Sequence, residues 1–411
     1  MQPETGNTSL ADSAVNMSVV SPAQIVPATS ELPFGATLGL VTTLKELLAL
    51  ETDWRVLETR ARISPSVFQS FDWISNWSKV YATAGSDTEL LVVAGYHEKQ
   101  LVFLWPLMKI RAKGLRTLAW LTEPSGQYGD VLVAADHSPA IWLSASLRVL
   151  RQLKNIDLIR LRHVRKDASI AEYADRHFNC ANLHERAPFL DLSEFPDDAS
   201  YEARYTAAQR KRRKKIRKNL EEMGQVEFLP LPPGVLADKA MSSAIDEKNM
   251  WLKERGRMNL ILRCPKHLEF LKLLARGNTA GVQVVTSELT AGGKPVSWEI
   301  GFRFRGTHFA YITSHVTALT DLSPGRLHMD MSQRLAIAAG QKRFDLMVPY
   351  DQHKESWSSA NVDTRDFYVP MNTWGRVYGS VYLRKIRPIL RNIYYRLPRN
   401  VLTVLQMIAG R

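Results

Sequence analysis

The segment Leu319-Thr-Asp-Leu-Ser-Pro-Gly-Arg-Leu327 constrains the fold of this chain most tightly, because the hydrophobic period changes across it from strand-like to helical. Before it, Phe309, Tyr311 and Thr313 alternate as on a strand that ends near His315, which predicts that all three share one face. After it, Leu327, Met331, Leu335 and Ala338 recur at helical spacing. Between the two, Ser323 reads as N-cap, Pro324 as the first helical residue, and Gly325 as a place where a bulky group approaches the backbone. A helix start offers unpaired N–H groups and the positive end of the helix dipole, which suits a phosphate or pyrophosphate. The same pattern also describes an ordinary capped turn.

A length of 411 residues predicts two to three domain-sized units, and an apolar fraction of 45% is ample for packed cores. The net charge of +13 is unevenly spread: residues 1–44 contain no Lys or Arg, and residues 367–411 no Asp or Glu. The polar start, residues 1–35, reads as a disordered leader without the basic start and apolar core of a signal peptide. No run approaches the ~18 apolar residues of a spanning helix. Cys180 and Cys264 have no metal or redox spacing and fit a reducing, cytoplasmic compartment.

The ordered part divides into two mixed halves. In the first, Thr43-x-x-Glu46 is a capping-box signature that opens a helix through Leu47, Leu48, Trp54 and Leu57. A helix after Phe71, a hairpin of strands near 90–94 and 101–110, a helix near 139–153, a strand near 156–161 and a helix near 169–178 follow. The second half begins with a basic helix around 204–223, then a strand at 226–229 and helices at 233–254 and 265–276. Strands at 282–290, 294–304 and 308–315 precede the Leu327 helix. Meandering strands followed by a helix predict an α+β layered sheet.

Beyond that helix come Gly340, Phe344-Asp345 and then Tyr350-x3-Lys354-x2-Trp357. With Ser323-Pro324-Gly325 this run resembles the CelD-like (cellulose biosynthesis) branch of the GNAT acyltransferase superfamily, which is related to the FemAB-type peptidoglycan aminoacyltransferases. The likeness extends to Lys248-x2-Trp251, Pro295-Val296-Ser297-Trp298, Trp54 with Leu57, and Phe71-x-Trp73 with Trp77, covering roughly residues 36 to 370. It implies tandem GNAT-like halves, each a mixed, mostly antiparallel sheet flanked by helices: 36–195 and a catalytic half at 196–370, followed by a basic amphipathic tail at 371–411.

The resemblance also implies direct acyl transfer from a thioester, without a covalent Ser-His-Asp apparatus, and no Gly-x-Ser-x-Gly elbow is present. It places the donor on Ser323, Pro324, Gly325 and Arg326. Candidate catalytic bases are His315 at a strand end, Asp345 after the helix and Glu299 within a strand, where a buried unpaired carboxylate would be costly. Trp298, Tyr311, Tyr350 and Lys354 are candidate substrate contacts. No tightly bound cofactor or metal is expected, and acyl-CoA is the expected co-substrate. Ordinary GNAT enzymes carry Gln/Arg-x-x-Gly-x-Gly/Ala where this chain has Gly325 alone, so acetyl-CoA, a longer acyl-CoA, an acyl carrier protein and an aminoacyl-tRNA remain open as donors.

Two basic segments bear on partners. Eight of the ten residues in Gln209–Lys218 are basic, while Ile216, Leu220 and Met223 give the same helix an apolar stripe. A solvated face and electrostatic guidance of a phosphate-bearing cofactor or lipid both fit; no nucleic-acid module surrounds it. In the tail, Tyr382, Ile386, Ile389 and Ile393 cluster opposite Arg384, Arg387 and Arg391, with Pro388 expected to bend or interrupt the helix. That segment suits an anionic membrane surface or packing on the protein's own body.

The resulting expectation is a cytoplasmic, membrane-peripheral acyltransferase that acts on an amine or hydroxyl of a cell-envelope polysaccharide or lipid precursor. The alternatives are an aminoacyl-tRNA-dependent transferase like the FemAB proteins, N-acylation of a long-chain base, and a non-catalytic accessory of polysaccharide (cellulose) biosynthesis.

Overall fold

The computed structural model describes residues 24–26, 32–64, 66–83, 85–277, 281–397 and 401. Its first half contains β1 (Gln24–Val26), β2 (Ala36–Val41), α1 (Leu44–Ala49), α2 (Glu51–Arg60), α3 (Phe71–Tyr81), β3 (Thr88–His97), β4 (Gln100–Ala112), β5 (Leu115–Trp120) and β6 (Leu132–Val133). It continues with α4 (Pro139–Gln152), β7 (Leu158–Arg165), α5 (Ala171–His177) and β8 (Asn179–Asp191). Thr43 and Glu46 form the expected reciprocal capping box at the start of α1. β1 pairs with Leu38–Leu40 of β2, so part of the expected leader forms an edge strand; most of the remainder lies outside the described residues.

The second half comprises α6 (Asp198–Ala203), α7 (Ala207–Glu221), β9 (Val226–Leu231), α8 (Val235–Glu254), α9 (Pro265–Arg276), β10 (Gln283–Ala291), β11 (Lys294–Phe304) and β12 (Thr307–His315). It ends with α10 (Pro324–Ala338), β13 (Arg343–Asp345), α11 (Gln352–Glu355) and β14 (Ala360–Pro370). The tail follows as α12 (Thr373–Val377), a π-helical segment at Tyr378–Ile386 and α13 (Arg387–Arg396). Pro388 falls in the first turn of α13 and does not interrupt the helix, because its missing N–H and fixed φ are tolerated there and a wide π-turn precedes it.

One mixed, mostly antiparallel sheet runs through both halves in the order β1-β2-β3-β4-β5-β7-β14-β8-β13-β12-β11-β10-β9. Among the described residues only β5 with β7 and β12 with β13 pair in parallel. The halves interlock rather than abut. β14 leaves the second half and inserts between β7 and β8, while β8 carries the first half across to β13.

The two halves also share a core. Trp73, fully buried on α3, meets Phe270, Phe302 and Tyr311 of the second half edge-on at 4.8, 5.1 and 5.6 Å, each such contact contributing ~1 kcal/mol beyond area burial. Its indole N–H donates to Thr122 Oγ1 at 3.0 Å, so the ring is buried without an orphaned donor.

Two layers cover the sheet of the second half. α8 packs on one face through Ala240, Met241, Ala244 and Ile245, in the core that holds Trp298, Ile300 and Phe302. α10 packs on the other through Leu327, Met329 and Ala336. β12 carries a bulge: its register against β11 slips between Ile300↔Ile312 and Gly301↔Ala310, leaving Tyr311 as the extra residue. The expected shared face of Phe309, Tyr311 and Thr313 is therefore broken. Phe309 and Tyr311 join the aromatic core, whereas Thr313 pairs with Glu299 and shares its side of the sheet.

At the junction of the halves Asp345, almost wholly buried, accepts hydrogen bonds from Tyr128 Oη, Arg165 Nη1 and its own Met347 N–H, each at 2.8 Å. Removing one partner of such a buried, hydrogen-bonded pair leaves an uncompensated charge. Asp345→Ala is expected to lower the unfolding free energy by ~3–5 kcal/mol, read from the midpoint of urea denaturation; a loss below ~1 kcal/mol would mean that the junction does not depend on this pair.

Candidate functional site

β12 and β13 pair only at Thr307↔Arg343, His308↔Phe344 and Phe309↔Asp345. Beyond that point they part: β12 runs on to His315, while the chain after Asp345 turns away at Met347, whose φ is +57°. The gap opens into a cleft of about 720 Å³. Ala310–Thr313 line one side and Leu346–Pro349 the other. The end of β5 at Trp120 and the loop after it (Leu121–Pro124, Gly126–Tyr128), Arg162 and His163 of β7, Lys248, Trp251 and Leu252 of α8, Arg257–Leu262, Asp351, Lys354 and Tyr394 of the tail complete it. Since β12 pairs with β11 on its other edge, the backbone groups of 310–313 that face the gap have no strand beside them.

The cleft is closed in by fixed polar groups. Lys354 Nζ donates to the carbonyl oxygens of Met347 and Pro349, both at 3.0 Å, and so holds the segment that forms one lip. Burial pushes its ammonium down to about 8, with Lys248 acting in the same direction. Lys248 is itself lowered by burial. Tyr311 Oη donates to the Ser125 carbonyl at 2.8 Å, and burial raises its pKa. Arg160 and Arg162 bracket Glu123 Oε1 at 2.7 and 3.3 Å.

The expected donor turn lies at the far end of β12. Pro324 takes the first helical position of α10, as its fixed φ favours. Ser323 adopts a left-handed conformation (φ +57°) and makes no side-chain cap, contrary to the N-cap expectation. The helix start thus lacks a side-chain acceptor for its N–H groups. A Cβ built on Gly325 would meet only His315, at 3.4 Å from Nδ1, so the cradle is open. Arg326 is depressed by burial and then by Arg212 of α7, and His353 by burial and then by Arg326. Cations from four elements thus gather beside this turn and the lip that carries Lys354.

His315 stands between turn and cleft, half-buried, with Nε2 3.2 Å from Thr320 Oγ1. Burial, then Lys248, Arg255 and His353, push it down to about 4, so its imidazole is neutral at physiological pH. The other two candidate bases lie elsewhere. Glu299 is buried beneath α10 with His308 Nε2 at 2.7 Å, in a closed polar cluster beside His328 and Ser332. Asp345 is consumed by Tyr128, Arg165 and the Met347 N–H, and borders a separate charged cavity of about 220 Å³ with Arg165, Asp167 and Arg343. Trp298 donates to Glu288 Oε2 at 2.8 Å on the α8 side and does not line the cleft. Tyr350 lies outside it under the Arg186 guanidinium, 3.9 Å from the ring centroid, whereas Tyr311 and Lys354 line it.

Several lining groups were not singled out from the sequence: Glu123, Tyr128, Arg162 and His163 of the first half, and Asp351. Pro124-Ser-Gly126 marks a turn, but nothing local says that this turn faces β12. Lys248 and Trp251 carried a signal, as part of the run that resembles the CelD-like branch.

Residues 207–355, which hold β12, α10, β13 and Lys354, match the acetyltransferase (GNAT) domain family. No curated protein is matched by the sequence. The fold is similar to the crystal structure of FemX, with a TM-score of 0.55 at 8% identity, over 80% of this chain and 98% of that one. Weaker likenesses are to a tandem GNAT protein from the clavulanic acid biosynthesis pathway (TM-score 0.47, 10% identity, 82% and 99% coverage). A C-terminal domain of a putative lysylphosphatidylglycerol synthetase from Agrobacterium fabrum is comparable (TM-score 0.48, 9% identity, 81% and 94% coverage). The stretch 207–355 is thus similar to the acetyltransferase (GNAT) domain family, and the fold of the chain is similar to that of FemX.

Proposed function

We propose that the chain is an acyltransferase that moves an acyl group from an acyl-CoA thioester, acetyl-CoA being the simplest, onto an amine or hydroxyl of a cell-envelope polysaccharide or lipid precursor. The observation that carries this reading is the parting of β12 and β13 beside an uncapped helix start. An extended donor arm lies in the gap against the free backbone edge of 310–313, as an added strand would. Its phosphates lie at the start of α10 with Arg326 and Lys248, where N–H groups, dipole and cations attract anions together, and beside the His353 imidazole, whose charged form is disfavoured by burial and by Arg326.

The acceptor enters from the first-half side of the cleft. Its lone pair adds to the thioester carbonyl carbon, the tetrahedral adduct collapses, and the carbon–sulfur bond breaks to release a thiolate. His315, held neutral, accepts the proton that the nucleophile loses. Lys354, poised near neutrality, donates one to the leaving sulfur. We further read the protein as peripheral at the inner face of the cytoplasmic membrane, attached through its tail. Among the described residues no helix is long and apolar enough to cross a membrane.

Gly325→Trp fills the cradle and is expected to weaken acetyl-CoA binding by at least about tenfold, ~1.4 kcal/mol, with an unchanged circular dichroism spectrum. Unaltered affinity by calorimetry would remove the donor from this turn.

Lys354 gives a pH test. It is cationic below its pKa of about 8 and neutral above it, so donor affinity should fall as pH rises through 8. Lys354→Met should flatten that profile and Lys354→Arg extend binding to higher pH. An identical profile in wild type and Lys354→Met would exclude this lysine from the donor site. Mass spectrometry of thioesters that co-purify with the protein identifies the donor, and envelope lipid and glycan profiling of a deletion strain identifies the acceptor class.

A further inference from the structure

The tail helix is mounted with its polarity reversed relative to an ordinary surface helix. Arg387 points inward to Asp366 Oδ2 at 3.0 Å, and Arg391 pairs with Glu185, both acids being largely buried. The apolar residues point outward: Val377, Val381, Ile386, Ile389, Leu390 and Ile393 are all exposed, Ile389 to 60% and Ile393 to 50%. Such a stripe neither packs on the body nor belongs in water.

The π-helical segment keeps this stripe continuous. Val377 and Val381 are four apart, and Ile386, Ile389, Leu390 and Ile393 repeat at spacings of three and four, but Val381 and Ile386 are five apart. In an ideal α-helix five residues turn through about 500°, which would leave the two parts of the stripe about 140° out of line. The wider turn of the π segment, Tyr378–Ile386, takes up the additional residue, and both parts remain on the outside.

Beside the first part of the stripe lies a groove of about 670 Å³ between the helix and the β4–β5 hairpin. Arg111 and Lys113 line it from the hairpin; Trp374, Tyr378 and Tyr382 line it from the helix. Trp374 is 75% exposed. Arg116 is committed to Asp157 and Asn155, and Asp157 is neutralised by it. Lys113 stands over the Tyr382 ring at 4.1 Å, and Arg111 is exposed with no acidic partner among the described residues. Val377 and Val381 belong both to the stripe and to the groove wall.

We propose that this groove is a headgroup site for an anionic phospholipid and, with the apolar stripe, forms one bilayer-docking face. The proposal rests on the reading of the protein as membrane-peripheral and adds a specific site to it. Charge complementarity selects the occupant. The groove offers Arg111 and Lys113 for a phosphate, aromatic rings suited to the interfacial region, and an adjoining row of aliphatic side chains for the acyl layer. No acid occurs from residue 367 onward to repel such a surface. Because Tyr394, on the same helix, lines the central cleft, docking carries one wall of that cleft to the membrane surface.

The test is flotation of the full chain with vesicles of phosphatidylcholine alone and of phosphatidylcholine mixed with phosphatidylglycerol. Wild type should float with the anionic vesicles, and less so at high salt. Arg111→Glu with Lys113→Glu, outside the tail, should reduce that partition by at least about tenfold, and Ile389→Ser with Ile393→Ser should reduce it as well. Flotation of the charge-reversed variant like wild type, equal flotation of wild type on both vesicles, or none on either would overturn the headgroup site. Acetyl-CoA binding, measured on the same preparations, is expected to persist in both variants. Its persistence alongside failed flotation would sink this inference alone, whereas its absence in wild type would sink the acyltransferase reading.

Discussion

The buried carboxylate of Asp345 is the interaction on which the cleft depends. It stands at the last paired residue of β13, takes Arg165 and Tyr128 from the first half, and accepts the N–H of Met347 two residues on. The last of these bonds turns the chain away from β12. One side chain thereby fixes both the contact between halves and the place where the strands part. Its burial would be prohibitive for an isolated charge; three donors and the guanidinium of Arg165 make it tolerable.

From that point the remaining geometry follows in order. Tyr128 is held as a wall of the cleft because its hydroxyl is held. The segment after Asp345 keeps its course because Lys354 ties the Met347 and Pro349 carbonyls. The β12 bulge aims Tyr311 at the first half, where it joins Phe68 and Trp73. The site is thus a joint product of both halves, and burial rather than any single charge sets the altered acidity of His315, Lys248 and Lys354.

The candidate site residues separate according to the same logic. His315, Arg326 and Lys354 stand where local grammar puts them: at a strand end, at a helix start and in the motif after the helix. Glu299 and Asp345 looked equally suited to chemistry in sequence, since a buried carboxylate is either functional or paired. Both proved paired, with His308 and with Arg165, nine and 180 residues away in sequence. The tail shows the converse. Its amphipathic pattern was plain, but which side faces the body was decided by Asp366 and Glu185, which draw Arg387 and Arg391 inward.

By itself the sequence determined the local elements, where periodicity, caps and turns act over a few residues: the capping box at Thr43, the β3–β4 hairpin, and the strand–turn–helix unit from β12 through α10. Tertiary structure alone decided that β14 lies between β7 and β8, that the two halves form one sheet, and that the loop after β5 faces β12. β14, reading Ala360-Asn-Val-Asp-Thr-Arg-Asp-Phe-Tyr-Val-Pro370, is charged through its middle and offers weak alternation. Its place is set by backbone hydrogen bonds and ion pairs with residues about 200 positions earlier. Such pairings leave no periodic trace in either segment, because each partner satisfies a need of the other rather than a rule of its own.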